Sequence, residues 1–257
     1  MHHLSPCLSS YRGVVVLKMM VISDLHYEKV FHRGVDESKA WNWLLSIVNY
    51  HEPDVLLSCG DWGTAITAKE FKELLSKTTV LTIYGNHDNL DVLRSLRNVN
   101  AALPVLMEDG LVYNVGGVRV AGISGVVAKK RKGKKRVPRK TPEDFIDLAR
   151  KLKDERVDVL LIHETPYLPR VFSSIRKSLG SQVALEAIEI IKPKIVFNGH
   201  IHEGTFRTYV FPYNTLYVYI DSSQHHKAYL ILHVDNGLLE IWVNYEKKLN
   251  IPIQNIE

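Results

Sequence analysis

Short runs rich in Val, Ile and Leu recur along this chain, and five of them break off into acidic, amide or imidazole side chains. That recurrence constrains the fold more than any bulk property does. Residues 14–22 lead into Asp24-Leu25-His26, 54–58 into Gly60-Asp61, and 80–84 into Gly85-Asn86-His87-Asp88. Residues 157–162 lead into His163, and 194–197 into Gly199-His200-Ile201-His202. Runs of this length and branching read as strands, and helical periodicity fills 36–51, 67–77, 142 to about 155, and a stretch ending before Pro193. Thr67 with Glu70, and Thr141 with Pro142 and Asp144, place a hydroxyl cap ahead of an acidic third position that can bond back to it.

A hairpin is expected around Gly116-Gly117, between 111–115 and 118–123, and the last fifty residues read as β-rich with a turn at Asp235-Asn236-Gly237. Strands joined by helices early and by hairpins late predict an α/β protein with mixed sheets. Residues 13–257 read as a single domain without internal repeats, behind an aperiodic tail at 1–12. The composition, 46% hydrophobic and 24% charged over 257 residues, is that of a globular chain with one substantial core.

Two cysteines, Cys7 and Cys59, are too few for a disulfide framework or a thiolate zinc site, which fits a reducing cytoplasm. The apolar stretch 14–22 is interrupted by Lys18 and is far shorter than the ~20 residues a membrane span needs. It leads straight into Asp24 and His26, so neither a membrane anchor nor a cleaved signal is expected. The net charge of +5 is unevenly spread: nine positive residues fall between Lys129 and Lys140, and subtracting them leaves −4 for the rest. The chain is therefore mildly acidic with one intensely basic segment, either a solvated loop or a local contact for anions.

In α/β sheets the carboxyl ends of strands form the rim where ligands bind, so five strand ends can deliver these side chains to one place. Imidazoles and carboxylates without thiolate suit divalent ions such as Mn, Fe, Zn or Ni. At least seven candidate ligands converge, more than the three protein ligands typical of one catalytic ion, so two ions are expected. A pair of ions ~3.5–4 Å apart needs a bridging carboxylate, and Asp61, isolated after a glycine, fits that role.

In their order and spacing these five blocks resemble the calcineurin-like metallophosphoesterases, whose pattern runs Asp-x-His, Gly-Asp, Gly-Asn-His-Asp/Glu, His, Gly-His-x-His. The resemblance covers about residues 14–235 with no ligand position substituted. It implies a four-layer α/β/β/α sandwich of two mixed sheets flanked by helices. It further implies that Asp24, His26, Asp61 and His202 hold one metal and that Asp61, Asn86, His163 and His200 hold the other. His87 would stay off the metals and face the substrate, giving the leaving oxygen its proton, while Asp88 would orient a ligand or His87. A hydroxide shared by the two cations would attack phosphorus in line with the leaving group.

The protein phosphatases of the same superfamily carry Gly-Asp-x-x-Asp-Arg-Gly where this chain has Gly60-Asp61-Trp62-Gly63-Thr64, so the pattern is nearer the small phosphodiesterases. A nuclease is the alternative, with Lys129, Lys130, Arg131, Lys132 and Arg136 clamping DNA or RNA across the site. A non-catalytic scaffold of the same fold is a third reading, opposed by the intact ligand set. Trp62 either walls the pocket or packs, His225 and His226 either touch substrate or lie on a surface loop, and His32, His51 and His233 read as structural. A nucleotide or nucleic acid is a possible substrate, and the pattern leaves the oligomeric state open.

Overall fold

The structure, a computed structural model, describes residues 17–130 and 137–253. Along the chain run β1 (Lys18–Ile22), the two-residue strands β2 (Phe31–His32) and β3 (Val35–Asp36), α1 (Ala40–His51), β4 (Val55–Ser58), α2 (Ala68–Leu75), β5 (Thr79–Thr82) and α3 (Leu90–Ser95). There follow β6 (Val112–Val115), β7 (Val118–Ile123), α4 (Pro142–Leu152), β8 (Val159–Ile162), α5 (Leu179–Ile191), β9 (Ile195–Asn198), β10 (Phe206–Val210), β11 (Leu216–Ile220), β12 (Ala228–His233), β13 (Leu238–Val243) and β14 (Glu246–Pro252).

Two six-stranded mixed sheets result, ordered β14-β13-β12-β1-β4-β5 and β10-β11-β9-β8-β7-β6. β1, β4 and β5 run parallel in the first, and β7, β8, β9 and β11 run parallel in the second. Period-two alternation sorts each strand's side chains. Met19 and Val21 join Leu57, Val120, Leu161 and Phe197 in a core shared by the two sheets. Met20 and Ile22 turn the other way, to pack with Trp41, Leu44, Ile47 and Phe71 of α1 and α2. On the second sheet, Leu160, Ile162 and Val196 meet Phe145, Ala149, Ala184 and Ile188 of α4 and α5. These three cores separate four layers, helix, sheet, sheet and helix, as the resemblance implied.

The expected helix caps are present. Thr67 and Glu70 form a reciprocal capping box at α2, and Thr141 and Asp144 form another at α4, with Pro142 in the first turn. The boundaries shift for local reasons. The helix expected from residue 36 begins as a 3-10 turn, Glu37–Lys39, whose cap Asp36 accepts from the Ser38 N–H, and becomes α-helical at Ala40. The helix expected to reach about Glu155 ends at Leu152, after which Lys153 and Glu155 donate to Arg150 and Leu152 in tighter three-residue turns. α3 and the β2–β3 hairpin were not expected; six residues and two pairs of residues are too short to show a period. The tail at 1–12 lies outside the described residues. Among the described residues no helix is long and apolar enough to cross a membrane.

Candidate metal centre

The carboxyl ends of the parallel strands deliver the side chains picked out by the motifs. Asp24 follows β1, Asp61 follows β4, Asn86 and His87 follow β5, His163 follows β8, and His200 and His202 follow β9. Two triads form, Asp24–His26–His202 and Asp61–His163–His200, each with its donor atoms within 4.8 Å of one another.

Both aspartates are built alike. Each spends one carboxylate oxygen on backbone and turns the other into the centre. Asp61 Oδ1 accepts the N–H groups of Asn86 (2.6 Å) and His87 (2.7 Å). Its Oδ2 lies 3.5 Å from His163 Nε2 and 3.7 Å from His26 Nε2, between the two triads. Asp24 Oδ2 accepts from His200 N (2.8 Å) and Ser23 Oγ (2.5 Å), while Oδ1, fully buried, has no hydrogen-bond partner among the described residues. A buried carboxylate oxygen without a partner is costly, and a cation is what satisfies it.

The imidazoles are oriented through their outer nitrogens. His163 Nδ1 donates to the Cys59 carbonyl at 2.8 Å, which turns Nε2 toward Asp61 and Asn86 Oδ1 (3.3 Å). His202 Nδ1 donates to Asp221 at 2.9 Å and leaves its Nε2 3.1 Å from His26 Nε2. A carboxylate or carbonyl behind a histidine is the arrangement that fixes the tautomer for metal binding. The charge balance agrees. Burial alone lowers the His163 pKa, but the Asp61 carboxylate overrides it and carries it up to about 10. His26, likewise lowered by burial, is raised by Asp24 and Asp61 to about 9. His200 is pushed down to about 4 by burial and the neighbouring His163. Two histidines drawn toward protonation mark a buried place whose carboxylates call for positive charge. The donor set, the unpartnered oxygen and this deficit of cations all fit two divalent ions.

The backbone bends sharply to present these groups. Asp24, His26, Asp61, His200 and His202 all have φ between 48° and 79°, in the left-handed region that non-glycine residues enter at a cost and that gathers at functional sites. Glycines in the motifs serve close approach. A Cβ on Gly85 would lie 2.1 Å from Asp61 Oδ1, and one on Gly199 would lie 1.9 Å from Asp24 Oδ2.

Residues 17–204 match the family described as calcineurin-like phosphoesterase. The chain belongs to that family. No curated protein sequence matches it. Among solved structures, a dimetal phosphatase from Danio rerio is 10% identical with a TM-score of 0.59, over 93% of this chain and 99% of the other. YfcE, a phosphoesterase from E. coli, is 12% identical with a TM-score of 0.45, over 93% and 100%. Vps29 from Entamoeba histolytica, complexed with Zn²⁺, is 12% identical with a TM-score of 0.47, over 93% and 100%. At 10% identity the likeness to the Danio rerio structure is one of fold.

In this calcineurin-like chain His87 stands off both triads, its ring 5.4 Å from that of His26, and lines a cleft of about 520 Å³ that opens beside the first triad. Asp88 is buried and accepts the N–H groups of Gly85 (2.7 Å), Trp62 (2.8 Å) and Asp61 (2.9 Å). It therefore holds the backbone of the loop that carries the ligand Asp61. Burial, then the charge of Asp61, push its carboxyl up to about 7 against the pull of those three donors.

The structure bears on further sequence readings. Trp62 is not a pocket wall: it is fully buried, donates from Nε1 to Thr82 Oγ1 (2.8 Å) and packs on Phe71 and Trp41. His32, read as structural, is exposed and lines the cleft from the β2–β3 hairpin. Of the basic segment, Lys129 and Lys130 are exposed and do not line the cleft, while Arg131, Lys132 and Arg136 lie outside the described residues. His225 does line the cleft, as does His226. The residue that sequence reasoning missed is Asp221, buried behind His202; it follows β11, and the rule of polar side chains at strand ends points to it.

Proposed function

We propose that this chain is a two-metal phosphodiesterase acting on small diesters. The observation that carries the reading is Asp61 Oδ2, set between the Asp24–His26–His202 and Asp61–His163–His200 triads with its other oxygen already held by backbone. Asp24, His26 and His202 would hold one ion, and His163, His200 and Asn86 Oδ1 the other, with Asp61 shared. Two divalent cations, when bound, acidify water near neutral pH and offset the charge on phosphate oxygens. Imidazole and carboxylate donors suit Mn, Fe, Zn or Ni, and the one thiol among the described residues, Cys59, is buried in the core between the sheets.

His87 stands beside the first triad with its backbone N–H fixed on Asp61, and its ring would give the departing oxygen its proton. The cleft supports a diester over a monoester, because it gives space next to the centre for a second ester substituent. Its volume lies within the range of small-molecule sites, and among the described residues its lining has Arg33 as its one lysine or arginine.

A nuclease is the second reading, favoured by the anchoring of the basic segment. Gly125 N donates to the Tyr84 carbonyl (2.6 Å) and Val127 N to Glu164 Oε2 (2.8 Å), so the segment starts beside residues adjoining Gly85 and His163.

The test is hydrolysis by metal-stripped protein, with and without added Mn²⁺, of bis(4-nitrophenyl) phosphate and 4-nitrophenyl phosphate. Metal-restored turnover favouring the diester is expected. Turnover of the monoester alone would overturn the diester reading, and no turnover of either by protein carrying two ions would overturn the hydrolase.

A further inference from the structure

Asp221 joins two histidines through a single oxygen. Its Oδ2 accepts from His202 Nδ1 and from His226 Nδ1, each at 2.9 Å, and its Oδ1 accepts from Ser223 N at 2.8 Å. A carboxylate only accepts, so both rings donate from Nδ1, and in the neutral imidazole the lone pair then sits on Nε2. For His202 that lone pair belongs to the first triad. His226 is held in the same way but is no member of either triad.

The backbone also fixes His226: its N–H donates to the Ser223 carbonyl at 3.0 Å, and Lys227 N donates to the same oxygen at 2.8 Å. Its ring lines the cleft together with His26, His87 and His202, and among the described residues Nε2 has no hydrogen-bond partner. The adjacent His225 shares the cleft but makes no hydrogen bond among the described residues. The rest of the lining carries the acceptors Glu28, Glu37 and Gln224, with His32, Arg33 and a single aliphatic side chain, Val35. Carboxylate and amide oxygens on such a wall pair with hydrogen-bond donors.

We infer that His226 is a specificity-determining residue whose Nε2 accepts a hydrogen bond from a hydroxyl on the substituent of a phosphodiester lying in this cleft. The favoured substrates are then diesters with hydroxylated substituents, of the nucleoside or polyol kind. The inference rests on the phosphodiesterase reading and adds the class of diester.

Two chromogenic diesters separate the cases: thymidine 5′-(4-nitrophenyl phosphate), which carries a sugar hydroxyl, and bis(4-nitrophenyl) phosphate, which carries none. The wild type should show the lower KM for the thymidine ester. His226→Ala should raise that KM roughly 3- to 10-fold, the size of one neutral hydrogen bond, with kcat little changed and both ions retained by elemental analysis. His226→Gln, which keeps an acceptor, should retain part of the preference. A second readout needs no turnover. The His226 Nε2 nitrogen resonance should shift on adding thymidine 5′-monophosphate and stay in place with phenyl phosphate.

An unchanged preference in His226→Ala, or a loss of bound metal, would overturn the inference; the latter would make the residue a support for His202. If the wild type hydrolyses neither diester, the phosphodiesterase reading fails by itself, and the nitrogen shift alone decides whether His226 meets a hydroxylated phosphate.

Discussion

The backbone N–H of Asp61 donates to the Asp88 carboxylate at 2.9 Å, so one buried acid positions the loop that carries another. Asp88 takes two further backbone donors, from Trp62 and Gly85, and thereby ties the turn after β4 to the turn after β5. Asp88→Ala should leave three buried N–H groups without an acceptor, at ~1–3 kcal/mol for each that water cannot reach. The expected outcome is a destabilisation of about 2–4 kcal/mol in urea together with weaker binding of both ions, measured by chelator competition. Unaltered metal affinity in the folded variant would mean that Asp88 supports the fold but not the centre.

Removal of the metals should give stability a definite slope with pH. His163 and His26 have folded pKa values of about 10 and about 9 against 6.5 for a free imidazole. A raised folded pKa contributes stability that is complete below the unfolded value and is lost as pH rises through the folded one. Cys59, pushed well above 9 by burial, acts in the same direction at the alkaline end. Metal-free protein should therefore lose thermal stability between pH 7 and pH 10, whereas protein carrying two ions, its histidines already deprotonated by coordination, should be much flatter. Thermal melts of both forms across that range provide the check, and parallel curves would show that the histidines are not protonated in the metal-free centre.

How much of this was legible in the sequence depended on how local the cause was. The capping boxes at Thr67 and Thr141 bond across three residues, so spacing alone reveals them. The five strand-end motifs were legible because a strand must stop before a polar side chain can turn toward the rim. Asp221 obeys the same strand-end rule, but its role behind His202 arises from β11 lying parallel beside β9, a pairing that no local spacing shows. Trp62 was ambiguous for a related reason. Adjacency to Asp61 carried no direction, and the left-handed turn at Asp61 (φ 56°) sends the next side chain into the core under α1 and α2.

That burial makes Trp62 a residue of the fold. Trp62→Phe keeps aromatic contact with Phe71, whose ring centroid is 4.9 Å away, and loses the hydrogen bond to Thr82 Oγ1. A stability loss of ~1–2 kcal/mol is expected, with KM unchanged. Trp62→Ala should cost ~3–5 kcal/mol through the cavity it leaves. If Trp62→Phe instead raised KM several-fold at undiminished stability, the side chain would have to reach the substrate after all.

The basic segment has a pinned end at Lys140 and exposed residues at Lys129 and Lys130, and this decides how it should be tested. Lys140 Nζ is used internally, paired with Asp109 (2.7 Å), the Ser124 carbonyl (2.6 Å) and Tyr84 Oη (3.0 Å), so its loss should lower stability whatever the substrate. Lys129 and Lys130 are exposed and adjoin a β-bridge between Val127 and Lys140 that fixes where the segment leaves the fold. Neutralising the positive residues from Lys129 to Arg136 while keeping Lys140 removes charge without disturbing that anchor. On a small chromogenic diester the variant should match the wild type, since neither Lys129 nor Lys130 lines the cleft. On single-stranded oligonucleotides a clamp would show as a salt dependence of binding that flattens by ~0.7 in the log–log slope for each phosphate contact removed. Identical slopes for wild type and variant would make the segment a solvated loop and leave the small-diester reading without its polymer-binding rival.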